Sequence, residues 1–149
     1  MNAFEQIKSL TMISKIEAIV YSFRSEFPDC FVDLKPWVKN DDTKQFNDPN
    51  SIDIGFHFRN PNFSCQCRSI LMQVKIHRDL EQEVYKAVEI ELLGYEAYQE
   101  QWQFSTVESW EFSGQSKPKL EAQELLKQVC SQILQLFNNP QSKFSKQYE

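Results

Sequence analysis

The sequence predicts an α+β fold: an antiparallel sheet of about five strands, with an amphipathic helix from each chain end packed on one face. Three observations predict it. Apolar residues recur at steps of three and four towards both ends of the chain. In the middle they alternate with polar residues, the period of a strand with one buried face. Two such alternating runs, 52–59 and 70–77, flank turn-forming residues and so read as a hairpin.

The N-terminal helix rests on Phe4, Ile7, Leu10, Ile13, Ile16, Val20 and Phe23, with Glu5, Lys8, Ser14 and Glu17 off their stripe. Pro28 cannot continue a helix, which places its end near residues 25–27. Within 31–38, Val32 and Leu34 alternate with Asp33 and Lys35. This reads as a strand that Pro36, which lacks a ladder donor, ends or confines to an edge. The polar run 40–51 reads as a mobile loop. Ile52, Ile54, Phe56 and Phe58 then oppose Asp53, Gly55, His57 and Arg59 in parity, as in a half-buried antiparallel strand. Asn60-Pro61-Asn62 is turn chemistry, and Ile70, Met72, Val74 and Ile76 give the returning strand.

Residues 79–86 read as a short helical or irregular connection, followed by a strand over 87–95. The next strand, 100–106, carries Trp102 and Phe104 on one side. Trp110 and Phe112 keep that parity after a break at Glu108, which a bulge or short loop explains. The last helix opens at Ser116-Lys117-Pro118, where Ser116 is a good cap and Pro118 costs little in the first turn. Leu120, Leu125, Leu126, Val129, Ile133, Leu136 and Phe137 form its apolar face, and Asn138-Asn139-Pro140 stops it. Residues 1–140 are therefore expected to form a single α+β domain, and 141–149 a polar, flexible tail.

Composition narrows the function classes. With 149 residues, 41% of them hydrophobic, the chain is long enough to bury a core without disulfides. Its three glycines, Gly55, Gly94 and Gly114, lie far apart, which excludes the glycine-rich phosphate loops. No cofactor motif is present, and no cofactor is expected. No run approaches the roughly 18 apolar residues of a membrane span. Glu5 and Lys8 interrupt the first segment, so it lacks the apolar core of a secretory signal. A cytoplasmic location follows as the expectation, with Cys30, Cys65, Cys67 and Cys130 reduced. A net charge of −5 disfavours nucleic acid as a partner, because phosphate binding needs surplus Lys and Arg.

Four features are candidate chemistry. Pairing Ile52 with Met72 sets His57 opposite Cys67 and Arg59 opposite Cys65, clustering three metal-ligand types at the hairpin end. Zinc needs a further ligand or a water to complete a tetrahedral shell, and no second ligand pair follows at a recognisable spacing. Next, the hairpin 54–78 carries Arg59, Arg68, Lys75 and Arg78 and no acid, whereas 79–111 is rich in Glu. Basic strands with aromatics can bind single-stranded nucleic acid; the plainer reading is cross-strand charge pairing. Third, Glu89 and Glu91 share a strand face at a spacing carboxylate pairs use in catalysis, although any solvated strand face alternates this way. With no Gly-x-Ser-x-Gly elbow and no triad partner for the cysteines, an enzyme is not the leading expectation. Last, Trp37, Trp102 and Trp110 either mark a partner site or cap the core.

Three runs carry a resemblance: Asp48-Pro49-Asn50-Ser51-Ile52-Asp53-Ile54-Gly55-Phe56-His57-Phe58, Arg68-Ser69-Ile70-Leu71-Met72-Gln73-Val74 and Glu100-Gln101-Trp102-Gln103-Phe104-Ser105-Thr106. In them the chain resembles small uncharacterised cyanobacterial proteins, a likeness that covers most of 30–137 and implies no activity. The helix–sheet–helix order is also similar to secretion-chaperone-like domains, by analogy of fold alone. The resulting expectation is a small cytosolic protein-binding or adaptor/chaperone-like protein, able to form a homodimer and without a membrane partner. Its interaction residues would be Trp37, Arg59, Arg68, Lys75, Trp102 and Trp110. The alternatives are a metal-dependent enzyme built on His57, Cys65 and Cys67, and a single-strand nucleic-acid binder acting through hairpin 54–78.

Overall fold

Both periodicities take shape in a computed structural model, which describes residues 1–79, 81 and 84–138. The elements are α1 (Leu10–Glu26), β1 (Cys30–Asp33), β2 (Ser51–Asn62), β3 (Cys67–Asp79), β4 (Val84–Glu96), β5 (Gln99–Ser105), β6 (Phe112–Gly114) and α2 (Leu120–Asn138). Each strand pairs antiparallel with its chain neighbour, so the sheet is an open meander ordered β1-β2-β3-β4-β5-β6. The α+β class is as expected, with six strands rather than five. The short β6 forms where Phe112 returns beside Phe104.

The core lies between the helices and one face of the sheet. Ile52, Ile54, Phe56 and Phe58 of β2, Ile70, Met72, Val74 and Ile76 of β3, and Ile90 and Leu92 of β4 are all buried there. Met12, Ile16, Ile19 and Phe23 of α1 meet them, as do Leu126, Val129, Ile133 and Phe137 of α2. The rings of Phe23 and Phe56 stack at 3.8 Å. Burying each such side chain contributes about 1.5–3 kcal/mol before the entropic cost of ordering it. Trp102 is fully buried because its cross-strand partner is Gly94. A Cβ at Gly94 would lie 2.2 Å from the indole ring, so only glycine leaves room for it. The indole Nε1 donates to the Cys65 carbonyl at 2.7 Å, satisfying its one polar atom.

Three local expectations need correction. The first helix begins late. Ser9 caps it, accepting from the Met12 N–H at 3.1 Å, and Ala3–Gln6 forms a separate 3-10 turn. The buried stripe is therefore Met12, Ile16, Ile19 and Phe23, while Leu10 is 82% exposed. The first residues are drawn to the sheet instead: buried Gln6 donates to the Pro49 and Ser51 carbonyls, at 2.8 and 3.0 Å. Second, the run 40–51 is structured. Asp41–Phe46 forms a 3-10 helix, whose Asn40 cap accepts from the Asp42 and Thr43 N–H groups. Third, β3 runs to Asp79 and β4 starts at Val84, and these two residues pair, so residues 84–86 belong to a strand and not to a connection. Leu80, Gln82, Glu83 and the expected tail 141–149 lie outside the described residues.

One irregularity ties α2 to the sheet. Lys75 pairs with Glu89 but Ile76 pairs with Ala87, which leaves Val88 as an extra residue in β4. The Asn138 side chain supplies bonds there, accepting from the Ala87 N–H at 3.1 Å and donating to its carbonyl at 3.2 Å.

Candidate functional site

The sheet face that the helices leave free carries the other parity: Ser51, Asp53, Gly55 and His57 of β2, Ser69 and Leu71 of β3, and Tyr95 of β4. The connection from β1 to β2 folds over its end. Asp53 anchors that connection. Although fully buried, its carboxylate accepts from the Trp37 Nε1–H at 2.8 Å, the Met1 ammonium at 3.1 Å and the Ser51 hydroxyl. A buried carboxylate needs such donors to offset its lost hydration. The Asn2 side chain also donates to the Trp37 carbonyl at 2.8 Å. Trp37 is thereby fixed beside Phe46, ring centroids 5.9 Å apart.

A cleft of about 500 Å³ results. Trp37, Phe46, Leu71, Tyr95 and Tyr98 give it an aromatic and aliphatic lining, and His57, Arg68 and Ser69 its polar groups. Tyr98 is fully exposed at its rim. It sits in the β4–β5 turn, where Ala97 and Tyr98 have φ of 50° and 66°. Two-residue hairpin turns require this left-handed backbone, which normally selects Asn and Gly. Holding Ala and Tyr there costs on the order of 1–2 kcal/mol per residue, offset by the pairing on either side.

His57 makes two hydrogen bonds at this site. Its Nδ1 lies 2.8 Å from the Ser69 hydroxyl, and its Nε2 lies 3.2 Å from Asp33 Oδ2. Ser69 is the directly opposed residue on β3, and Asp33 comes from β1 on the other side. Asp33 Oδ1 accepts from the Lys35 N–H at 2.9 Å, which leaves Oδ2 for the imidazole. Gly55 makes room for this crossing, because a Cβ there would lie 3.2 Å from His57 Nε2.

The metal cluster read from the sequence does not assemble in this way. Ile52 pairs with Val74 and His57 with Ser69, two residues away from the expected register. The extra residues lie in β2, where pairing shifts between His57 and Asn62, so turn chemistry at 60–62 did not mark the true turn. Cys65 and Cys67 are buried beside Trp102. Burial pushes the Cys65 thiol up to about 12 and carries Cys67 higher still, with Cys65 adding to the shift. Burial likewise pushes Cys130 up to about 12. Among the described residues, no group of three or more His, Cys, Asp or Glu is arranged to hold a metal ion.

The other sequence candidates disperse. Trp102 is unavailable to a partner because it is enclosed in the core, and Trp110 packs edge-on against Phe104 at 5.8 Å. Only Trp37 lines the cleft. Arg68 lines it too, with Nε 3.7 Å from Glu96. Lys75 pairs across the strand with Glu89, and exposed Arg59 lies 3.8 Å from Asp29. The basic hairpin thus meets acidic neighbours, as simple charge pairing predicts. Glu89 and Glu91 line a separate hollow of about 180 Å³ with Glu108 and Glu111, and Glu89 accepts from the Ser105 hydroxyl at 2.9 Å. Sequence reasoning missed Asp33, Ser69, Asp53 and the Tyr95–Tyr98 rim. Parity alone groups Asp53 and Gly55 with His57 on one face, but only the correct register adds Ser69.

With this geometry in view, a comparison of families is informative about kinship and silent about activity. The chain belongs to a family described as a domain of unknown function, whose model matches residues 4–139. No curated protein and no solved structure matches the chain. No helix among the described residues is long and apolar enough to cross a membrane.

Proposed function

We propose that this chain is a binding protein, an adaptor whose open-face cleft receives a large apolar side chain presented by a protein partner. The cleft carries this reading. At about 500 Å³ it has the volume of a ligand site, and it is lined mainly by aromatic and aliphatic groups with a few polar ones. Trp, Tyr and Arg, the residue types that dominate binding energy in interfaces, converge there as Trp37, Tyr95, Tyr98 and Arg68. The cytoplasm suits the buried, unpaired thiols Cys30, Cys65, Cys67 and Cys130, and a cyanobacterial source suits the sequence runs quoted above.

Selection of displayed random peptides on the purified chain tests the reading. The expected consensus has one aromatic or long aliphatic anchor. Leu71→Glu in the cleft should weaken a selected peptide at least about tenfold, or 1.4 kcal/mol. Leu120→Glu, on the exposed start of α2, should leave it unchanged. Peptides that bind Leu71→Glu as well as the parent chain would exclude the cleft.

A second reading, self-association, has its own observation. β1 is an edge strand, and its half-exposed Phe31 lies in a groove with Val20 and Tyr21 of α1. Sedimentation should then show a dimer that Phe31→Lys dissociates; a monomer at high concentration rules this out.

A further inference from the structure

We infer that Asp33, His57 and Ser69 form a nucleophilic relay in the wall of the cleft, which hydrolyses carboxylic esters with an apolar acyl group. The inference uses the cleft but does not need a protein partner.

In the neutral imidazole the two hydrogen bonds fix the proton positions. A carboxylate only accepts, so the bond from His57 Nε2 to Asp33 Oδ2 requires the proton on Nε2. Nδ1 of the neutral ring is then an acceptor, and the Ser69 hydroxyl 2.8 Å away must donate to it. The serine proton therefore points at a base whose tautomer a carboxylate fixes. That is the arrangement of an activated hydroxyl nucleophile, recognised by geometry rather than sequence order. Asp33 is a positioning residue, since its contact is with His57. Ser69 and His57 both line the cleft, so a carbonyl can reach them while its acyl chain lies against Leu71, Trp37 and Tyr95. Arg68, 3.7 Å from Glu96, adds a cation to the same lining.

The reaction balances without oxidant or metal. Ser69 Oγ bonds to the acyl carbon as its proton passes to His57 Nδ1. The carbon–oxygen bond to the leaving alcohol breaks, and the alcohol takes that proton. Water then attacks the acyl-serine with His57 again as base, releasing the acid and restoring Ser69. The sum is ester plus water giving acid plus alcohol.

The full chain is tested with a biotinylated fluorophosphonate and with p-nitrophenyl butyrate. The expected result is a single phosphonyl adduct, mapped to Ser69 by peptide mass spectrometry, together with p-nitrophenolate release that Ser69→Ala abolishes. His57→Gln should slow both by about 100-fold or more. Asp33→Asn should lower kcat at least about tenfold with KM unchanged. A merely structural Asp33 would instead change KM and unfold the cleft. No adduct at Ser69 in the unmodified chain overturns the relay, a result that does not depend on any variant folding. Hydrolysis that persists in folded Ser69→Ala overturns it too. Peptide binding by the unmodified chain reads the adaptor proposal separately. If the peptide binds and no adduct forms, only the relay fails; if the adduct forms without peptide binding, only the adaptor reading fails.

Discussion

Ile70 and Leu71 are neighbours on β3 that enter different worlds. Ile70 is fully buried beneath the helices, whereas Leu71 is half-buried in the cleft on the opposite face. Their contrast is that of the two sheet faces. One face is covered by the helices, so its central residues answer to packing and are apolar. The other stays open and mixes a buried carboxylate, a histidine, hydroxyls and aromatics. Groups there must be held in place singly, by the donors on Asp53 or the space beside Gly55.

The sharpest way to break the comparison is to truncate both neighbours. Ile70→Ala should cost about 2–5 kcal/mol of unfolding free energy, the range for a large aliphatic removed from a packed core. Leu71→Ala should cost less than about 1 kcal/mol, because water can refill its place, while still weakening a cleft ligand. Denaturant titration of both variants decides it, and equal losses would mean that the open face is packed as tightly as the covered one.

Gly94→Ala probes the covered face from its backbone side. The new methyl would collide with the Trp102 indole, whose Nε1 is tied to Cys65. A loss of about 1–3 kcal/mol is expected, the usual cost of overpacking. Trp102→Leu in the same chain should relieve most of that added strain, so the two changes should be non-additive. Additive losses would show that the ring and the glycine are not in contact. Ser9→Ala should follow at about 1 kcal/mol, the value of a helix cap. If it costs nothing, α1 does not depend on that cap.

The sequence was readable where one physical rule governed a whole segment. Alternation placed Ile52, Ile54 and Phe56 on the buried face, and the α2 periodicity found Leu126, Val129, Ile133 and Phe137. It misled where two rules competed. Phe4 and Leu10 continue the helical stripe, yet Ser9 caps the chain between them and the sheet captures Gln6. The site was hardest to read because it depends on register. Asn60-Pro61-Asn62 suggests a turn, but β2 continues through it with an irregularity, and each shift exchanges the neighbour of His57. Asp33 and Ser69 carry no local signal, since only the folded sheet brings them to the same imidazole.

Glu91 offers the smallest test, on the open face beside the cleft. Its carboxyl is held above its ordinary value of 4.5, first by burial, then by the Glu89 charge, with Lys75 opposing and Glu108 adding to the rise. A raised carboxyl binds its proton more tightly in the folded chain than in the unfolded one. Its contribution to stability is therefore fully present below the unfolded value and is lost as pH rises through the folded value. Glu91→Gln cannot ionise and escapes that loss. The variant should match the parent near pH 4 and exceed it at pH 7 by no more than about 0.5 kcal/mol, as suits a partly exposed side chain. Urea midpoints at the two pH values measure the difference. A variant weakened at pH 7 but not at pH 4 would mean that the ionised carboxylate is stabilised by its surroundings, with Lys75 prevailing over burial and the neighbouring Glu residues. The open face would then be held together by charge pairing across its strands, whereas the raised carboxyl describes a half-buried face on which burial and crowded acids together disfavour the charge.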